Sequence, residues 1–181
     1  MVNLTSLERV LNIKLKEYKE YIAAHSRSVL VVFFFLPMLV SQCAIYMGLT
    51  DIGFVSSWET ACRAAFGSAE GYSLTVLLYW LMSPLAFLWG YSQVNYRSMS
   101  LKKMIIAVIS CWLLVIIFGA VLFCEIKPSA LEYSGFSRRR IFPIVRWHWG
   151  FCMLYGGGVL CFCTMIYGAS YLTLRLISNR L

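Results

Sequence analysis

The sequence predicts an all-α, polytopic membrane protein with four transmembrane helices and with both chain termini in the cytoplasm. Hydrophobic residues make up 60% of the 181 residues and charged residues only 13%, against about 25% charged residues in a typical soluble domain. The uncharged residues are gathered into four long stretches, and most Lys and Arg residues fall in segments that would share one side of a membrane. These observations together indicate a single membrane domain.

Residues 1–27 are expected to form a cytoplasmic segment with an amphipathic helix over residues 4–24. Thr5 and Glu8 have the spacing of a capping box, in which each side chain accepts a hydrogen bond from a free backbone N–H. Apolar residues recur three and four positions apart, which places them on one helix face; they are Leu4, Leu7, Leu11, Leu15, Tyr18 and Ile22. Such a helix either lies on an anionic membrane surface or packs on the cytoplasmic ends of the spans.

Four stretches carry no Asp, Glu, Lys or Arg, and each exceeds the roughly 20 apolar residues that a helix needs to cross a bilayer. We expect the transmembrane domain to occupy residues 28–174 and a cytoplasmic tail to occupy residues 175–181. The predicted spans are residues 28–50, 72–95, 104–124 and 147–174. Pro84 predicts a kink in the second span, because proline removes a helix hydrogen bond and clashes with the preceding turn.

The distribution of basic residues predicts the orientation of these spans. Ten Lys and Arg residues lie in the N-terminal segment, the second connection and the tail, whereas the first connection, residues 51–71, has only Arg63. Since Lys and Arg are enriched on the cytoplasmic side, the first and third connections should lie outside. The third connection, residues 125–146, carries five basic residues and opposes this rule, but the other segments outweigh it.

The third connection contains the candidate partner-binding residues, Arg138, Arg139, Arg140 and Arg146. Arg binds carboxylate and phosphate groups through a planar fork of donors. The cluster of three therefore either pairs with the acidic first connection or with lipid phosphates, or it contacts a protein partner outside the membrane.

The fourth span carries a stripe of small residues, Gly157, Cys161, Thr164 and Gly168, spaced four, three and four positions apart. Small residues let helix backbones approach closely in lipid. We expect this stripe to be a helix-packing seam, either against another helix of the chain or against a partner in a homo- or hetero-oligomer.

The sequence contains no recognisable catalytic, cofactor-binding or metal-binding motif. His148 stands between Trp147 and Trp149, which is typical of a residue at the membrane interface. The acidic residues, Lys and Arg all fall outside the predicted spans, whereas ion and proton pathways use ionisable residues inside them. We therefore expect neither an enzyme nor a transporter, and we attribute the net charge of +8 to topology rather than to nucleic-acid binding.

Cysteine usage leaves one alternative open. Four cysteines inside the spans are expected to act as small apolar fillers; they are Cys43, Cys111, Cys161 and Cys163. Cys62 lies in the first connection, and a disulfide to Cys124 or Cys152 is undecided because sequence does not give their separation.

One local stretch resembles a known family. Leu122, Phe123 and Cys124, followed by Glu132, Gly135 and Arg138, are similar to the end of the third span and the following loop in immunity proteins of the colicin A type. The resemblance extends to the chain length, the four spans and the short connections. The three consecutive arginines and the glycine triplet depart from the family pattern. The resemblance implies an inner-membrane protein of a plasmid-bearing bacterium that protects against a pore-forming bacteriocin.

The same resemblance implies how recognition would occur. In that family, the helices and outer loops of the immunity protein meet the hydrophobic hairpin that the toxin inserts into the inner membrane. The expected partners are therefore membrane lipids and a membrane-inserting protein. A plasmid-exclusion protein of a conjugative plasmid, or a structural subunit of a larger membrane complex, would have the same general layout.

Overall fold

The computed structural model describes residues 14, 16–93, 100–124 and 142–178. These described residues form helices and turns, with no β-strand among them. The helices are α1 (Ser26–Tyr46), α2 (Ser57–Phe66), α3 (Tyr72–Leu81), α4 (Ser83–Gln93), α5 (Leu101–Phe123), α6 (Phe142–Val145) and α7 (His148–Ser178). The all-α class predicted from the sequence is therefore confirmed.

Three helices, α1, α5 and α7, are long and apolar enough to cross a membrane. Helices α3 and α4 meet the same criterion only as a pair, and they are bent by 47° at the break between them. The chain therefore has three candidate spans, or four if the bent pair is a single span. The prediction of helices long and apolar enough to cross a membrane is therefore confirmed in length and composition.

The bend between α3 and α4 lies where the sequence predicts a kink. Met82 separates the two helices, and Pro84 is the second residue of α4. Proline has no N–H to donate, and its ring collides with the carbonyl four residues earlier, so a straight helix through this point is unfavourable. In the first turn of a new helix proline is tolerated, which explains why α4 begins where it does.

The described part of the N-terminal segment is helical over residues 16–24 and continues into α1 through a turn at His25. Ile22 is buried, and the ammonium of Lys19 lies 5.6 Å from the ring centroid of Tyr91 near the end of α4. The described part of the segment therefore contacts the end of α4 through Lys19, while Tyr18 and Tyr21 remain exposed. Thr5 and Glu8 lie outside the described residues.

Helix α7 is the centre of the fold, because it contacts α1, α3, α4, α5 and α6. Its most buried face is formed by residues spaced four, three and four positions apart, which are Cys152, Gly156, Val159 and Cys163. A Cβ atom placed on Gly156 would lie 2.5 Å from a ring carbon of Tyr79. The absence of a side chain at Gly156 is therefore what lets α3 approach α7.

The central seam is displaced by one residue from the predicted stripe. A Cβ on Gly157 would meet no heavy atom of the described residues within 4 Å, so the packing predicted for Gly157 within the chain is not found there. Thr164 of the stripe packs against α4, where a Cβ on Gly90 would lie 3.0 Å from Cγ2 of Thr164. Gly168 is buried and Cys161 is half-buried. The glycine triplet faces in several directions, and the sequence spacing did not show which glycine points inward.

Helix α5 packs along α7 but buries little of its own surface. Within α5 only Met104 and Leu122 are buried. Leu122 lies beside α7, where a Cβ on Gly158 would come within 3.2 Å of its side chain. The remaining large side chains are half-buried or exposed, so α5 is attached to the bundle by a narrow strip.

Candidate functional site

Polar side chains from three helices meet at His148, the first residue of α7. Its Nε2 atom lies 3.0 Å from Oγ of Ser41 on α1 and 3.1 Å from Oγ1 of Thr75 on α3. Ser41 and Thr75 are fully buried, whereas His148 is half-buried. The sequence interpretation of His148 as an interface residue is therefore incomplete, since its inner edge joins α1, α3 and α7.

The two hydroxyls that contact His148 also have backbone partners close by in the chain. Ser41 donates its hydroxyl hydrogen to the carbonyl of Pro37 at 2.7 Å, and Thr75 donates to the carbonyl of Gly71 at 2.9 Å. Each hydroxyl has one hydrogen and two lone pairs, so it can have both the carbonyl and the imidazole as partners. Which group donates at Nε2 depends on the tautomer of His148.

This arrangement joins α1, α3 and α7 through one imidazole ring. The remaining neighbour is Cys152, whose Sγ lies 3.6 Å from Nε2 and 3.9 Å from Nδ1 and whose side chain is fully buried. The sequence signal that could have indicated this cluster is the pair of hydroxyl residues, Ser41 and Thr75, within apolar stretches.

A cleft of 510 Å³ opens beside His148 and is lined by Gln42, Trp147, His148 and Trp149. The indole N–H of Trp149 donates to Oε1 of Gln42 at 3.2 Å, which ties the start of α7 to the last turns of α1. Trp147 and Trp149 are 74% and 57% exposed. The lining of the cleft is therefore mainly apolar and includes two largely exposed indole rings.

The first connection is a folded element rather than an open loop. Ser56 caps α2 by accepting the N–H of Glu59 at 3.2 Å, and Gly67 ends the helix in the left-handed conformation with φ 75°. The Ser-x-x-Glu spacing of residues 56–59 is a helix-start signal that could have predicted α2. Trp58 and Cys62 on its inner face are buried, and the Trp58 ring lies 5.9 Å from Phe151.

Glu59 locks α2 to the start of α3. Its Oε2 accepts the N–H of Ser73 at 2.7 Å, and its Oε1 pairs with Arg63 at 2.7 Å. The N–H of Ser73 is one of the unpaired donors in the first turn of α3, where a carboxylate is favoured. Both oxygens of Glu59 are thus engaged, which leaves Asp51 and Glu70 as the exposed acids of this connection.

All seven cysteines are free thiols. The disulfides that the sequence left open, from Cys62 to Cys124 or Cys152, are therefore not formed. Burial, and to a lesser extent the neighbouring Glu59 carboxylate, raise the pKa of the Cys62 thiol to about 11. Cys62 is consequently protonated at neutral pH and is a weak nucleophile.

Of the four candidate partner-binding arginines, Arg146 is among the described residues. Arg138, Arg139 and Arg140 lie outside them. Arg146 has an exposed side chain, and its backbone carbonyl accepts the Tyr72 hydroxyl at 3.3 Å. The same hydroxyl donates to the carbonyl of Val145 at 2.6 Å, so the segment that leads into α7 is held against α3.

Among the described residues, no three His, Cys, Asp or Glu side chains are grouped so that they could hold a metal ion. No protein-family model, characterised protein or solved structure matches the chain significantly. The fold and the contacts of its own residues therefore carry the functional conclusion.

Proposed function

We propose that the chain is a four-span inner-membrane recognition protein, with both termini in the cytoplasm, that gives immunity to a pore-forming toxin. It would act without catalysis, by binding the domain that the toxin inserts into the membrane. The observation that carries this proposal is the open side of α5, together with the absence of any acidic residue in the five helices of the candidate spans.

Helix α5 supports the proposal because most of its large side chains are exposed or only half-buried in the described bundle. The exposed side chains are branched and apolar, and they include Ile106, Ile109, Leu113, Ile116 and Ile117. Inside a bilayer there is no hydrophobic force between helices, so specificity depends on the shape of such ridges and on van der Waals contact. A toxin hairpin that packs on α5 would find a continuous apolar ridge there.

Helix α7 is a poorer docking surface than the predicted small-residue stripe implied. Its seam is already filled by Tyr79 of α3, and Thr164 lies against Gly90 of α4. A partner at Gly156 or at Thr164 would have to displace helices of the same chain, whereas Gly157 is open. For this reason we place the intramembrane contact on α5 rather than on the fourth span.

The arginines of the third connection would supply the polar part of recognition. In the predicted orientation, Arg138, Arg139, Arg140 and Arg146 lie on the outer side, from which a toxin arrives. Complementary charge governs specificity and association rate more than total affinity. Glu59 is already paired with Arg63 and Ser73, so the alternative that the first connection neutralises this cluster depends on Asp51 and Glu70.

Protection from toxin is the direct test. Cells that make the chain would be challenged with a panel of pore-forming bacteriocins, and the triple variant R138Q/R139Q/R140Q would be compared with the unmodified chain at equal membrane abundance. We expect the unmodified chain to protect against one toxin and the triple variant to protect less. Full protection by the variant would remove the arginines from the recognition site.

The same cells separate the proposal from its alternatives. A plasmid-exclusion protein would lower uptake of a conjugative plasmid and leave toxin sensitivity unchanged. A structural subunit would copurify in a stoichiometric complex in cells that never meet a toxin. Failure to protect against every toxin in the panel, combined with either result, would overturn the proposed function.

A further inference from the structure

The turn between α1 and α2, residues 46–55, is unusually apolar for a connection between helices. Six of its ten residues are apolar, and Asp51 is the one charged residue among them. Turns in water are instead rich in Gly, Pro, Asn, Asp and Ser. Five of the six apolar side chains are exposed; they are Tyr46, Met47, Leu49, Phe54 and Val55. The turn therefore carries an apolar surface that the packing of the described chain leaves uncovered.

Hydrogen bonds within the turn set its shape. Helix α1 ends in a Schellman motif, in which Gly48 has φ 70° and the N–H of Leu49 donates to the carbonyl of Ala44 at 2.9 Å. Farther along, Oδ1 of Asp51 accepts the N–H of Gly53 at 2.9 Å. In this motif the residue at the position of Leu49 frequently packs back onto the helix, but Leu49 is exposed. Its side chain is therefore available to a partner outside the chain.

The exposed surface of the turn continues that of α1. Leu39, Cys43 and Tyr46 are exposed and are spaced four and three positions apart, so they share one helix face. Tyr46 is the last residue of α1 and is 92% exposed, and Met47 and Leu49 follow it with no charged residue between them. When α1 crosses a membrane, the apolar surface thus passes from the span directly into the turn.

Helix lengths place the turn at the edge of the hydrocarbon layer. Arg27 is the last charged residue before α1 becomes uncharged, and Met47 follows it by about 20 residues, which is about 30 Å of helix and matches the hydrocarbon thickness. The same separation joins Tyr155 and Arg175 of α7, and the ring of Trp58 in α2 lies 5.9 Å from that of Tyr155. Both ends of the turn are therefore at the depth where acyl chains meet headgroups.

We infer that the α1–α2 turn is a lipid-binding surface whose exposed apolar side chains insert among the acyl chains of the leaflet on its side of the membrane. In the proposed orientation this is the outer leaflet. A lipid partner is favoured over a protein because the surface continues the exposed face of a candidate span, and Tyr46 at the border is typical of an interfacial anchor. The inference rests on the candidate spans crossing a membrane and does not depend on toxin recognition.

The other turn of the same connection provides a contrast. Residues 67–71 join α2 to α3 and include no large apolar residue. Ser68 and Glu70 are exposed, whereas Ala69 is buried. We expect this turn to remain in water, so that the two turns of one connection lie in different solvents.

The test is the accessibility of a fluorescent amino acid in the full chain, reconstituted in liposomes of phosphatidylethanolamine and phosphatidylglycerol. The probe replaces Phe54 in one chain and Ser68 in the control. Interfacial apolar groups lie about 5–10 Å into the boundary between headgroups and acyl chains. We therefore expect the probe at position 54 to be quenched more strongly by a nitroxide near the top of the acyl chain than by one at its end. It should also lose the quenching by aqueous iodide that the control shows. Equal iodide quenching at positions 54 and 68 would overturn the inference.

A second probe position keeps the test independent of one substitution. Leu49 is exposed near the other end of the turn, so a probe there should give the same result as at position 54. Folding of each chain is checked at Cys62, which is buried and should react with a maleimide only after SDS is added. Iodide quenching at both positions in folded chains would contradict lipid insertion of the turn.

Added toxin separates a lipid from a protein partner. We expect the toxin to leave the signal from position 54 unchanged. If position 54 is open to iodide alone and becomes shielded when the toxin is added, the turn binds the protein, and the lipid inference is overturned while the proposed function stands. Lipid quenching at position 54 in a chain that protects against no toxin would support the lipid surface and contradict the proposed function.

Discussion

Helices α5 and α7 are both long and apolar, but they use their surfaces in opposite ways. Helix α5 is the more apolar of the two and is the less buried, whereas α7 is contacted along several faces. In water the more apolar helix would be expected inside. In lipid the solvent is itself apolar, so burial follows side-chain size and shape instead.

The contents of the two helices explain this difference. Along α7, glycines allow close approach: Gly156 receives the ring of Tyr79, and Gly158 receives Leu122. Helix α5 has one glycine, Gly119, which faces Phe162 of α7, and its other sides carry branched residues. The helix with small residues becomes the centre, and the helix with large residues is left facing lipid or a partner.

The largest expected effect comes from adding a methyl group at the turn that positions α7. A Cβ on Gly150 would overlap the carbonyl oxygen of Ile144 in α6, and a backbone atom cannot move aside as a flexible side chain can. We expect Gly150→Ala to lower the free energy of unfolding by about 3 kcal/mol or more, at the upper end of overpacking costs. Denaturant titration in detergent would measure it, and a loss below 1 kcal/mol would contradict this geometry.

Adjacent glycines of α7 provide the sharpest internal control. We expect Gly156→Ala to cost about 1–3 kcal/mol because the new methyl group meets the buried Tyr79 ring. Gly157→Ala should instead stabilise the protein by up to about 1 kcal/mol, since its position is open and alanine favours the helix. The same titration measures both variants. The reverse order would show that the seam passes through Gly157, as the sequence spacing predicts.

Within α5, two substitutions should have opposite consequences for stability and for function. Leu122 is 5% exposed and Ile116 is 69% exposed. We expect Leu122→Ala to cost about 1–2 kcal/mol, less than in a soluble core because only packing contacts are lost in lipid. Ile116→Ala should leave unfolding unchanged but reduce toxin protection. Equal effects of the two variants in both assays would remove the distinction between the faces of α5.

The two ends of α5 also report its orientation. Cys124 and Ser100 flank the helix, and both are exposed. We expect a membrane-impermeant maleimide to label Cys124 in intact cells, and to label a Ser100→Cys variant at residue 100 only after permeabilisation. Cys62 should stay unlabelled until SDS is added, because it is buried and its pKa is raised to about 11. Labelling at residue 100 in intact cells would reverse the proposed topology.

The features that depend on local sequence patterns were predictable from sequence. Charge-free stretches located the helices of the candidate spans, and Pro84 located the bend, because each signal is local. The register of the α7 seam was not predictable, since Gly156 and Gly157 differ only in the side chains that other helices place opposite them. The contact of His148 with Ser41 and Thr75 likewise joins residues 107 and 73 positions apart.

Helix α2 is an intermediate case. Its Ser56 to Glu59 spacing is a local helix signal, but the carboxylate of Glu59 does not return to the N–H of Ser56 as in a capping box. It accepts the N–H of Ser73 instead, and the N–H of Ser56 donates to Oγ of Ser73. The sequence could therefore have predicted the helix, while the lock onto α3 needed the tertiary fold.

Photocrosslinking from α5 tests the central claim most directly. A photoreactive residue would replace Ile116, and a control would replace Val32, an exposed apolar residue of α1; each chain would be irradiated in membranes with the toxin against which it protects. The account predicts a crosslink to the membrane-inserted domain of the toxin from position 116 and none from position 32. Absence of a crosslink from position 116, in a chain that still protects fully, would contradict recognition through α5.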